Sequence, residues 1–100
     1  MGTKLVRDRI PEIIRKDGRK PVTHLAKEKE YLAKLREKLA EGVAEFSRDG
    51  KVEELADILE VVYALGEAKG VARNGLERMR MKKASERGRF THKIILDEIR

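Results

Sequence analysis

Apolar residues recur at three- and four-residue spacing through Leu25, Leu32, Leu35, Leu39, Val43 and Phe46. That period is the stripe of an amphipathic helix and predicts one over residues 26–46. From Leu55 to Leu65 only Asp57 and Glu60 interrupt an apolar run. A helix apolar nearly all round is ordinarily buried, so the pattern predicts a second, buried helix over residues 51–69, stopped by Gly70. Between them Ser47-Arg48-Asp49-Gly50 reads as a short turn. A turn this short makes the two helices antiparallel neighbours.

The flanks are less regular. Residues 1–10 begin as an extended segment, and Pro11 suits the first turn of a short helix ending at Lys16, before Asp17-Gly18. Residues 19–25 carry Pro21 and the β-branched pair Val22 and Thr23, which predict a short strand or an extended connection. Residues 71–87 predict a third long helix, starting near Val71 or capped by Asn74, with a weak apolar stripe at Leu76, Met79 and Ala84. Lys93 to Leu96 read as a strand, and the segment near Val22 is its expected partner. The fold class is therefore an all-α antiparallel bundle in one domain, residues 1–100, with short extended segments near both termini.

Composition narrows the partners. One hundred residues make a modest core, and with four aromatics and no Trp it rests on Leu, Ile, Val and Ala. Such a core is often completed by a homodimer or higher homo-oligomer. The absence of cysteine removes disulfide and thiolate chemistry and fits a reducing cytoplasm. No apolar run has membrane-spanning length, and the N-terminus lacks the apolar core of a signal peptide. His24 lacks a second His at ligand spacing and reads as a surface residue rather than a zinc ligand.

Charge is sorted along the chain. Residues 1–20 hold seven Lys/Arg against three Asp/Glu, and residues 71–93 hold eight against two. Between Glu28 and Glu60 ten acidic residues face six basic ones. An acidic centre between basic ends suits a cation bound together with a polyphosphate. Interhelical pairing accounts for most such charges in ordinary helical proteins, and basic ends alone also suit nucleic acid. No aromatics are interleaved with the basic residues, as single-strand stacking would require.

The acidic residues are the candidate chemistry. At 100° per residue Glu53, Asp57 and Glu60 share a stripe, with Glu54 at its border. On the preceding helix Glu41 and Glu45 share a face. Facing stripes would converge four or five carboxylates, and hard divalent ions such as Mg²⁺ take carboxylate oxygens. The plain alternative is a pair of solvated helix faces. Gly42 interrupts the first helix at a cost of about 1 kcal/mol relative to Ala, and a glycine there often marks close approach of another backbone or of a ligand.

KLVRDRIPEII at the start, KLAEGVAEF and EELADILEVVYAL in the middle and KKASERGRF near the end resemble the MazG-like branch of the all-α nucleotide pyrophosphohydrolases. The subgroup they resemble most is related to phosphoribosyl-ATP pyrophosphohydrolase. The resemblance covers nearly the whole chain. It implies a dimerising helical bundle that holds Mg²⁺, or Mn²⁺, by an ExxE…ExxD pattern. It also implies hydrolysis of the α–β phosphoanhydride of a nucleoside triphosphate to monophosphate and pyrophosphate. Glu54 and Asp57 match the ExxD half. The ExxE half ends at Glu45 and should begin at position 42, where this chain has Gly; Glu41 is the nearest substitute. Glu41 or Glu45 is then the expected catalytic base, with Glu41, Glu45, Glu54 and Asp57 as metal ligands. Lys4, Arg7, Lys82, Lys83 and Arg87 are the implied phosphate contacts. If position 42 is an emptied ligand place, Gly42→Glu should strengthen cation binding. Two alternatives share these features: phosphoribosyl-ATP as substrate, and a catalytically impaired relative that binds nucleotide or nucleic acid.

Overall fold

The computed structural model describes residues 3–100. It is all-helical: α1 (Ile10–Lys16), α2 (Glu28–Asp49), α3 (Val52–Ala68) and α4 (Arg73–Arg87). Among the described residues there is no strand. The expected pairing of the Val22 segment with Lys93–Leu96 does not form: residues 88–100 carry no regular structure, and Val22 is fully exposed. A β-branched run favours a strand only where a neighbouring strand takes up its backbone groups.

The stops are glycines in left-handed backbone. After α1, Gly18 (φ 81) lets its own N–H reach Arg15 O and the Arg19 N–H reach Ile14 O. After α3, Gly70 (φ 84) does the same, with Val71 N–H on Gly66 O at 2.8 Å. This paired closure satisfies carbonyls that a helix end leaves free. Between α2 and α3 the link is shorter than expected. Ser47, Arg48 and Asp49 continue α2, and only Gly50 (φ 66) and Lys51 separate the helices. None of those three residues forbids helical dihedrals; Gly50 is the one whose backbone turns left-handed. The start of α4 falls at Arg73 behind Ala72, with no side-chain cap from Asn74.

The α2–α3 hairpin is the centre of the molecule, and α4 packs on α3. Leu35 is the one fully buried apolar side chain among the described residues, at 2% exposure. Gly42, two turns further along α2, is also buried, at the contact with α3. A Cβ built on Gly42 would stand 2.9 Å from Ile58 Cγ1. The glycine thus admits a neighbouring side chain, and position 42 points into the helix contact rather than toward a ligand. A Glu there would have to displace Ile58, so the expectation that Gly42→Glu restores a ligand is corrected.

The expected burial of α3 is also corrected for the single chain: none of its side chains is fully buried. Its apolar residues form two faces. Ile58, with Val61 and Leu65 on the same side by helical spacing, lies toward α2. Val52, Leu55 and Leu59 form a second face that stays exposed, Val52 at 74%. The N-terminal segment crosses both helices. Lys34 Nζ of α2 donates to Thr3 O at 2.9 Å, and Arg7 reaches Asp57 of α3.

Candidate functional site

The acidic residues line the α2–α3 hairpin near its turn, each with its own neighbour. Glu41 is exposed, with Lys38 Nζ 3.7 Å away, one turn back on α2. Glu45 is half-buried. Glu54 is half-buried too, and its Oε1 accepts the Lys51 N–H at 3.2 Å, closing the first turn of α3. Asp57 is exposed and accepts from Arg7 Nη2 at 2.6 Å.

Arg48 stands on the last turn of α2, beside the link to α3. Its guanidinium donates to Asp49 at 3.2 Å. That hydrogen bond, with the Asp49 charge, holds its pKa above the ordinary arginine value, and Glu45 and Glu54 add to the same effect. By composition Ser47-Arg48-Asp49-Gly50 reads as a turn, which hides Arg48 as a helical residue. Its position three after Glu45, on a helix continuing to Asp49, was the available signal.

The expected phosphate contacts divide. Arg7 lies on the acidic stripe, paired with Asp57, and Lys4 stands exposed in the segment leading to it. Lys82, Lys83 and Arg87 stand exposed on the second half of α4, which packs on α3 rather than on α2. A second feature absent from the sequence reading lies at the α3–α4 junction. The Arg73 guanidinium sits 4.0 Å from the centre of the Tyr63 ring, in an open depression also lined by Glu67, Asn74 and Glu77. His24 is a surface residue as expected, with Nε2 2.9 Å from Glu30.

As a donor set, Glu41, Glu45, Glu54 and Asp57 offer the hard oxygens that Mg²⁺ or Mn²⁺ takes. As arranged in the single chain, no three His, Cys, Asp or Glu side chains among the described residues gather closely enough to hold a metal ion. The carboxylates are instead engaged one by one: Lys38 for Glu41, the Lys51 N–H for Glu54, Arg7 for Asp57. No helix among the described residues is long and apolar enough to cross a membrane.

No family model matches this chain. An uncharacterized protein of Mycolicibacterium smegmatis (strain ATCC 700084 / mc(2)155) is 50% identical to it over 54 residues, 50% of this chain and 55% of that protein. The match thus spans about half of the relative's length. No solved structure matches.

Proposed function

We propose that this chain is a metal-dependent nucleotide pyrophosphohydrolase that cleaves the α–β phosphoanhydride of a nucleoside triphosphate or related nucleotide. The observation that carries the reading is the α2–α3 hairpin, which holds Glu41 and Glu45 on one helix and Glu54 and Asp57 on the next, with Arg7 paired to Asp57. A divalent cation at these carboxylates would neutralise the polyphosphate and polarise the attacked phosphorus. The chain's own residues supply the rest. Glu41 or Glu45 takes the proton of the attacking water, and Arg7, with Lys4, stabilises charge on the phosphates. Lys82, Lys83 and Arg87 are further phosphate contacts, and for them α4 has to stand over a neighbouring acidic stripe. The exposed face of Val52, Leu55 and Leu59 supports a homodimer as the working form, and the cysteine-free sequence fits a cytoplasmic one.

The test is pyrophosphate release across a nucleotide panel that includes phosphoribosyl-ATP, with Mg²⁺ or with chelator. Asp57→Asn and Glu54→Gln should each abolish turnover while the helical circular-dichroism signal is kept. Full activity in both variants would remove these residues from the site. One observation favours a second reading, a relative that binds nucleotide without turning it over: position 42, where the resemblance expects a ligand, is a buried glycine against Ile58. Tight nucleotide binding with no product at any metal concentration would select it.

A further inference from the structure

The free surface of this chain is too large for its mass. It exposes 9381 Å², whereas a compact monomer of 11.5 kDa should expose about 5,800 Å². The radius of gyration is 17.7 Å, against about 13 Å for a compact domain of this length. The surplus is about 3,600 Å² by that scaling. An obligate dimer buries roughly 1,000–2,500 Å² on each partner. A flat helix face therefore accounts for only part of the surplus, and the rest lies in extended chain.

That segment is the stretch after Gly88. Phe90 is 98% exposed, and Ile94, Ile95, Leu96 and Ile99 are all exposed too. Its own chain covers none of these five large apolar side chains. Elsewhere, the outer face of α3 presents Val52, Leu55 and Leu59 at i, i+3 and i+7. The match is apolar rather than charged: the arm carries Lys93 with Asp97 and Glu98, and the stripe of Glu53, Asp57 and Glu60 lies on a different side of α3 from this face.

We infer that Phe90–Ile99 is an exchanged arm that docks on α3 of a second copy of this chain, over Val52, Leu55 and Leu59. The arrangement is isologous: each copy gives one arm and receives one. The inference rests on the association proposed above and adds to it which segment makes the contact.

The chain has no cysteine, so single cysteines report cleanly. An isotope-labelled Ile95→Cys chain is mixed with an unlabelled Leu59→Cys chain, oxidised mildly, and its disulfides are read by mass spectrometry. Crosslinks between positions 95 and 59 should exceed 95–95 and 59–59 crosslinks. No preference would overturn the docking site. A second measurement needs no substitution: hydrogen exchange of the parent chain at concentrations above and below its dissociation, with mass by light scattering. Amides 90–99 should exchange at least about tenfold more slowly in the dimer and lose that protection in the monomer. An unprotected arm in a dimer overturns the inference and leaves the dimer standing. An arm protected equally in the monomer overturns the exchange. A monomer at every concentration removes both.

Discussion

Gly42→Ala sets two effects of known sign against each other. Ala in a helix interior is favoured over Gly by about 1 kcal/mol. The new Cβ would stand 2.9 Å from Ile58 Cγ1, closer than carbon atoms approach without something moving. Cγ1 is bonded directly to the Ile58 Cβ and cannot swing aside as the end of a flexible side chain does. Overpacking of this kind costs about 1–3 kcal/mol. The sum predicts that Gly42→Ala destabilises by about 0–2 kcal/mol. Ile58 then provides the decisive control. Ile58→Val removes Cδ1, which lies 3.8 Å away, and keeps Cγ1, so it should not rescue the alanine. Ile58→Ala removes Cγ1, so in that background Gly42→Ala should stabilise by about 1 kcal/mol. The coupling between 42 and 58 is the overpacking term itself, about 1–3 kcal/mol. Urea unfolding followed by circular dichroism reads each corner, at one fixed protomer concentration because association changes apparent stability. If Gly42→Ala stabilises the parent as much as it stabilises the Ile58→Ala chain, the helix contact is not the reason for the glycine.

Gly50→Ala should cost roughly 1–2 kcal/mol, because the residue sits at φ 66, where an L side chain meets its own backbone; an unchanged urea midpoint would refute it. Arg7→Ala should cost less than about 1 kcal/mol, since its ion pair with Asp57 is more than half exposed on both sides. In turnover assays the same variant should raise KM for triphosphate, and an unchanged KM would leave Arg7 only an ion-pair role. Glu77 should titrate below the ordinary carboxylate range, because Arg80 hydrogen-bonds its charged form. A carboxyl depressed in the folded state adds stability that is complete above its unfolded pKa and fades as pH falls through the folded one. Carbon-detected NMR titration of the Glu77 carboxyl should show the shift in the parent and its loss in Arg80→Ala.

The helices were legible because their pattern is local. The stripe from Leu25 to Phe46 and the apolar run from Leu55 to Leu65 each specify a helix within their own length. The end of α2 was misplaced by three residues because Ser47, Arg48 and Asp49 look like a turn by composition, while the geometry needs only Gly50. Burial was not legible. Whether Leu55 and Leu59 are covered depends on a surface outside the hairpin, and within one chain they stay exposed. The same reason defeats the strand at Lys93–Leu96, whose β-branched residues need a partner before they need a conformation. At the site, helical spacing gave the stripe of Glu53, Asp57 and Glu60. Spacing does not say which cation each carboxylate meets, and here Arg7 comes to Asp57 from fifty residues away.

Hydrolysis at the α2–α3 acidic residues would break the bond between the α and β phosphates. Phosphorus NMR of a nucleoside triphosphate incubated with the parent chain and Mg²⁺ tests it most directly, with Asp57→Asn run beside it. Monophosphate and pyrophosphate resonances should grow together, stop on chelation and be absent with Asp57→Asn. Diphosphate with orthophosphate as the products, or the same product growth with Asp57→Asn, would contradict it.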